Sequence, residues 1–325
     1  MKLVAIALAL LCCAMSAFPA TTTQTHVQRT SFFGKEYVRL DQWARANGFQ
    51  LKWIDRNDLL VSNTGTRMNF TAESRRMLFN GITVLLSEPV RNQNGVPYIA
   101  SVDLNTAIYP VLFPPKNHPR QRVKSICIDP GHGGKDPGQM VGREQEKKYT
   151  LLLAQELAAQ LRKLGYSVSF TRSSDTFIEL PVRPDIARRR GADLFISLHF
   201  NSAPTSDTRG VEVYCMTPPR TSSSNARGEG ANTGAYPGNR NDPKNMLLAY
   251  ELQKTIVRGT DTEDRGVKRA RYWVLRDAEM PAVLVEGGFM SNPAEARKIY
   301  SAAWRKQLAT SIANGIENYR RTVER

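Results

Sequence analysis

From residue 124 onward, short apolar runs alternate with stretches of helical periodicity, and this alternation restricts the possible folds more than any other feature. The strand-like runs are Lys124–Asp129, Ser167–Thr171, Asp193–His199, Gly210–Met216, Tyr272–Leu275 and Ala282–Glu286. Between them, Glu146 to Leu164 reads as a helix: Leu151, Ala154, Leu157, Ala158, Leu161 and Leu164 keep one stripe, and Gly165 stops it. Val182 to Arg190, Asn245 to Val257 and Ser301 to Tyr319 read as further helices. The pattern predicts an α/β fold, a mainly parallel sheet flanked by helices on both faces. Residues 217–243, rich in Pro, Ser, Asn and Gly, interrupt it with a long irregular loop carrying Arg220, Arg227 and Arg240, expected to form the rim of a substrate groove.

The chain before residue 116 has a different texture. Tyr37–Leu40 leads into a short helix from Asp41, stopped by Gly48. Alternating runs at Gln50–Ile54, Asp58–Ser62, Met68–Phe70, Arg76–Phe79, Ile82–Leu86 and Val96–Ile99 are punctuated by turn residues, notably Asn80-Gly81 and Asn92 to Gly95. This predicts a small α+β domain of hairpins over 29–115, followed by a Pro-containing linker at 116–123 and a second domain over 124–322. With no acidic cluster, and no His before the linker except His26, the first domain is expected to target or scaffold, not to catalyse.

Residues 1–20 carry one Lys, an apolar run and then small residues, the order of a cleaved secretory signal; the run is short for a membrane span. An exported product, periplasmic or secreted, with no stable membrane insertion is expected. The net charge of +15 is spread over both halves and points to an anionic partner. Export and the lack of a recognisable binding motif argue against nucleic acid. Beyond the leader, Cys127 and Cys215 each lie in an apolar strand-like run and are expected to be buried thiols, although the compartment allows a disulfide.

The second domain has only two histidines, His132 and His199. Each follows an apolar strand, so in a parallel sheet both emerge at the same edge, where open α/β sheets carry their sites. His132 sits in a Gly-rich loop that allows close approach of a ligand. Two imidazoles and a carboxylate form a zinc donor set, and Glu144 and Glu146 are both candidates for the third ligand. Hydrolysis also needs a group to carry protons. Glu286 ends the apolar run 282–285, where desolvation raises its proton affinity.

The segments IDPGHGGKDPGQMVGREQEK, ADLFISLHFNS, GVEVY and PAVLVEGGFMSN occur in that order. They resemble the zinc-dependent N-acetylmuramoyl-L-alanine amidase family, built on an "amidase 3" catalytic domain, over about 124–322. The resemblance implies one Zn²⁺ held by His132, Glu146 and His199; Glu146, with Leu151, meets the family's Glu-Lys-x-x-x-Leu register and Glu144 does not. It implies Glu286 as the catalytic Glu, and hydrolysis of the amide between N-acetylmuramic acid and L-alanine of the stem peptide. Peptidoglycan is then the partner, with a protein activator possible and a monomer expected. A wall-binding protein on the same fold would have lost a ligand or the catalytic Glu, and none is missing. The segments YVRLDQWA, LFNGITVLL and GVPYIASVDL resemble the copper-amine-oxidase N-terminal-like domain, which implies targeting or scaffolding and no copper chemistry.

Overall fold

A computed structural model describes residues 27–226 and 234–325; the leader expected at 1–20, His26 and Arg227 lie outside them. The N-terminal part supplies β1 (Arg29–Phe32), β2 (Lys35–Arg39), β3 (Gln50–Trp53), β4 (Asp58–Ser62), β5 (Arg67–Thr71), β6 (Arg76–Phe79), β7 (Ile82–Leu85), β8 (Arg91–Gln93) and β9 (Val96–Ala100). The rest supplies β10 (Ser125–Pro130), β11 (Met140–Val141), β12 (Glu144–Gln145), β13 (Ser167–Phe170), β14 (Leu194–Asn201), β15 (Val211–Met216), β16 (Asp264–Ala270) and β17 (Ala282–Phe289).

One large sheet runs β13-β10-β14-β17-β15-β16-β7-β6-β5-β4-β3. Its first four strands are parallel, as the strand–helix alternation predicts, while β15 runs antiparallel to β17. The hairpins β3 to β7 continue the same sheet, because β7 pairs with β16 at Val84 and Val267 and the Thr83 amide donates to Asp264 Oδ2 at 2.7 Å. The sheet is therefore mixed across its full width, with a smaller sheet β1-β2-β9-β8 beside it. The β6–β7 turn follows from Asn80-Gly81, both with positive φ, as a two-residue hairpin requires. Residues 116–123 lie along the end of the last helix: the Asn117 amide donates to the Val323 carbonyl at 2.8 Å and the Val123 amide to Glu324 at 2.7 Å.

Strand parity sorts the core into two faces. Ile126, Ile128, Leu194, Ile196, Leu198, Val283 and Val285 join one apolar cluster with the helices Glu146–Lys163, Asp242–Thr260 and Ala302–Glu324. Cys127, Phe195, Ala282 and Leu284 join another, covered by the short helices Val182–Arg189 and Trp273–Arg276. Burial of each large aliphatic side chain stabilises by roughly 1.5–3 kcal/mol, so β10, β14 and β17, apolar on both faces, are the natural centre of the sheet. His199 has the parity of Phe195, and Glu286 that of Leu284. Both therefore face the side that carries only short helices. Cys127 and Cys215 are buried free thiols, as expected, in different clusters.

One expected element is wrong. Tyr272–Leu275 is not a strand; Trp273–Arg276 forms a single helical turn. The strand belongs to Asp264–Ala270, whose basic residues masked it. Lys268 is paired inside the protein, and Arg269, 1% exposed, donates to the Met216 carbonyl at 3.1 Å.

Candidate active site

His132, Glu146 and His199 bring one ligand atom each to within 4.8 Å of one another. Glu146 opens its helix at the end of the loop that begins with His132, and β14 carries His199. Glu146 Oε2 lies 3.0 Å from His132 Nε2, and Oε1 lies 3.0 Å from His199 Nδ1. The Gln139 amide (2.9 Å) and the Phe200 amide (3.1 Å) also donate to the Glu146 carboxylate. Burial favours the neutral acid, but the hydrogen bonds and charges of the two histidines hold Glu146 well below the usual carboxylate range. Glu144, the other candidate acid, points elsewhere, to Lys148 Nζ at 2.9 Å and to the Tyr149 hydroxyl.

The glycines fit this packing. A Cβ on Gly131 would lie 2.2 Å from His199 Cε1, and one on Gly138 would lie 2.6 Å from both Glu146 Oε2 and His132 Cδ2. His132 itself has φ of 62°, a strained value for a non-glycine residue that persists only where its surroundings over-determine it. They do so here. Arg183, 1% exposed, donates to Asp129 Oδ1 (2.9 Å), to the Pro130 carbonyl (3.0 Å) and to the His132 carbonyl (2.9 Å). Arg172 donates to the Pro130 (2.9 Å) and Gly131 (2.8 Å) carbonyls. Three consecutive carbonyls are thus each held by a buried guanidinium. Asp136 Oδ2, 2.8 Å from His132 Nδ1, fixes the ring so that Nε2 faces Glu146, on the side where an ion would be held. Two imidazoles and one carboxylate, oriented in this way, have the chemistry of a zinc donor set.

Glu286 is the register partner of His199 on β17. Its Oε2 is buried with no hydrogen-bond partner. Burial, then the charges of Glu146 and Glu212, push its proton affinity well above the carboxylate range, and Lys268 opposes this. Glu212 lies opposite Glu286 on β15 and accepts from Lys268 Nζ (2.6 Å), Arg265 Nε (2.5 Å) and the Tyr214 hydroxyl (2.6 Å). His132, Glu146, His199 and Glu286 all line one cavity of 430 Å³. A deprotonated Glu286 is a strong base beside the donor set, and a protonated one is an acid in the same place.

Sequence reasoning did not single out Asp136, Arg172, Arg183 or Glu212. Asp136 had a legible signal, being an acid four residues after His132 in the same tight loop. The arginines had none, since their partners lie more than forty residues away. Of the loop arginines, the Arg220 carbonyl accepts from Lys35, and Arg240 lies in a short 3₁₀ turn, Pro237–Asn241.

The family described as N-acetylmuramoyl-L-alanine amidase matches residues 126–318. The N-acetylmuramoyl-L-alanine amidase AmiC of Neisseria meningitidis serogroup B is 37% identical over 216 residues, 60% of this chain and 52% of that protein. The match thus spans about half of that relative's length. The solved catalytic domain of CwlV, an N-acetylmuramoyl-L-alanine amidase of Bacillus (Paenibacillus) polymyxa, is 29% identical with a TM-score of 0.52, covering 61% of this chain and 99% of that one. The CwlD amidase of Clostridioides difficile, solved in complex with the GerS lipoprotein, is 25% identical with a TM-score of 0.51, covering 60% and 98%.

Proposed function

The chain belongs to the N-acetylmuramoyl-L-alanine amidase family, and from that premise we propose that it is an exported, zinc-dependent peptidoglycan hydrolase. Its reaction is cleavage of the amide between the lactyl group of N-acetylmuramic acid and L-alanine of the stem peptide. The observation that carries this is the convergence of His132, Glu146 and His199 in one cavity with Glu286.

His132, Glu146 and His199 would hold the ion. Bound there, zinc supplies Lewis-acid polarisation of the scissile carbonyl and acidifies the attacking water. Asp136 orients His132, and Arg172 and Arg183 hold the loop that presents it. Glu286 takes the proton of the attacking water and passes it to the departing amine, leaving a lactyl carboxylate and a free stem peptide. Burial, with the charges of Glu146 and Glu212, raises the proton affinity of Glu286, the direction such a shuttle needs.

The leader composition supports export, and among the described residues no helix is long and apolar enough to cross a membrane. Residues 29–115 act as a targeting or scaffolding module, with residues 124–322 as the catalytic part and the enzyme a monomer. The CwlD amidase is solved in complex with a lipoprotein, which favours a protein partner here too, and an activator is the role assigned to it.

The test is digestion of purified sacculi by the mature protein, with and without a chelator and beside Glu286→Ala, with products read by mass spectrometry. Free stem peptides that begin with L-alanine, lost on chelation and in the variant, are expected. Products cut at another bond would refute the assignment.

A further inference from the structure

Three of the large apolar side chains left exposed among the described residues line the active-site cavity: Leu180 (46% exposed), Tyr272 (37%) and Trp273 (47%). Trp273 opens the single helical turn Trp273–Arg276, on the sheet face that carries only short helices. Its ring is held in place. The Arg276 guanidinium lies 3.9 Å from the Trp273 ring centroid and 4.6 Å from that of Tyr236. Tyr236 is in turn fixed by a hydrogen bond from its amide to Asn239 Oδ1 at 2.9 Å. Arg276 Nε is buried with no hydrogen-bond partner, and its guanidinium lies against both rings as a wedge between them.

A wedged, half-exposed indole in a cavity also lined by polar Asn201 and Ser202 asks for a ligand with the same division: one flat apolar face and a polar rim. A pyranose ring has that division. Its C–H groups carry partial positive charge and meet the negative face of the indole, while its hydroxyls and acyl substituents stay at the edge, in water or against polar side chains. A peptide strand needs instead a row of free backbone N–H and C=O partners, whereas Leu180, Tyr272 and Trp273 present an aliphatic chain and two rings. In a lactyl-linked amino sugar the ring carbon is three bonds, roughly 4 Å, from the carbonyl to be cleaved. When that carbonyl is at Glu286, the sugar has to lie in the same cavity.

We propose that Trp273, wedged by Arg276 and flanked by Tyr272 and Leu180, is a carbohydrate-stacking subsite that binds the N-acetylmuramic acid ring of the strand being cut. The proposal rests on the amidase reading above and adds to it which wall of the cavity recognises sugar.

The test compares wild type, Trp273→Ala and Trp273→Phe as full-length, metal-loaded proteins. Calorimetry measures binding of peptide-free glycan strands and of free stem peptides. Kinetics on soluble uncross-linked peptidoglycan separate KM from kcat. Trp273→Ala is expected to weaken strand binding and raise KM by about tenfold, with kcat and stem-peptide binding little changed. Trp273→Phe, which keeps an aromatic face, should stay within about threefold of wild type. Loss of stem-peptide binding with strand binding intact would assign the platform to peptide and overturn the proposal. Unchanged strand binding in Trp273→Ala, or none by wild type, would overturn it too. Failure of the amidase reading looks different: wild type would then release no stem peptides, whatever Trp273 binds.

Discussion

Glu212 and Glu286 are register partners on the antiparallel strands β15 and β17, yet only Glu212 is neutralised by its neighbours. It takes hydrogen bonds from Lys268, Arg265 and Tyr214, while Glu286 Oε2 has no partner. Two carboxylates this close are tolerated because one is locked as an anion by cations and the other is driven toward its neutral form. The pair thus divides into a fixed charge and a carboxyl of raised proton affinity.

Glu286→Gln keeps the size of the side chain and removes the proton carrier. It should lower amide hydrolysis by roughly 10²–10⁴-fold with metal content unchanged, since general acid–base groups contribute in that range. Turnover measured beside metal analysis checks this; retention of most of the activity would remove Glu286 from the mechanism.

Lys268 is the buried cation that Glu212 depends on, with side-chain exposures of 10% and 1% for the pair. Lys268→Met leaves a buried carboxylate with Arg265 as its remaining cation, so a loss of about 3 kcal/mol is expected, the lower end for breaking a buried pair. The double variant Glu212→Gln/Lys268→Met should recover part of that loss. Urea unfolding of the three proteins gives the comparison.

Asp136→Asn keeps a hydrogen-bonding group beside His132 Nδ1 but removes the charge that fixes the ring. Zinc affinity should fall about 10–100-fold, as it does when such orienting carboxylates are lost elsewhere. Competition with a chromophoric chelator measures it directly, independently of turnover. Equal affinity in the two proteins would exclude the orienting role.

Glu317 on the last helix accepts from Arg320, Tyr166 and Arg321, at 2.6, 2.8 and 2.8 Å. The Arg320 hydrogen bond foremost, against some burial, takes its carboxyl down to about 2. A group with a lowered folded pKa binds its proton less readily folded than unfolded. Its stabilisation is therefore full above the unfolded value of about 4.3 and is lost as pH falls toward 2. In Glu317→Gln this part of the acid-induced loss should be absent, so the difference in unfolding midpoint from wild type should shrink between pH 5 and 2. A difference that stays constant over that range would rule out the linkage.

Much of the site was legible because it depends on local order in the chain. His132 follows β10, and His199 and Glu286 sit within β14 and β17, so placing those strands side by side gathers the three residues. Period-two parity, visible in the apolar runs, already puts His199 and Glu286 on the same face as Phe195 and Leu284. The choice of Glu146 over Glu144 required the family register; in the fold, Glu144 turns away to Lys148 and Tyr149.

What the amino-acid sequence determined by itself was the strand–helix rhythm, the order of the motifs and the chemical types at the site. Those depend on backbone periodicity and on residues close to one another in the chain. Tertiary structure alone decided three things. It made Asp264–Ala270 a strand despite its charges, because Glu212 and the Met216 carbonyl wait for them across the sheet. It joined the N-terminal hairpins to the large sheet through Val84 and Val267. It also gathered Arg172 and Arg183 under the His132 loop, from positions about forty to fifty residues distant. The energies that settle these arrangements are pairings of buried charge and backbone carbonyl between remote segments, and no local pattern in the sequence encodes them.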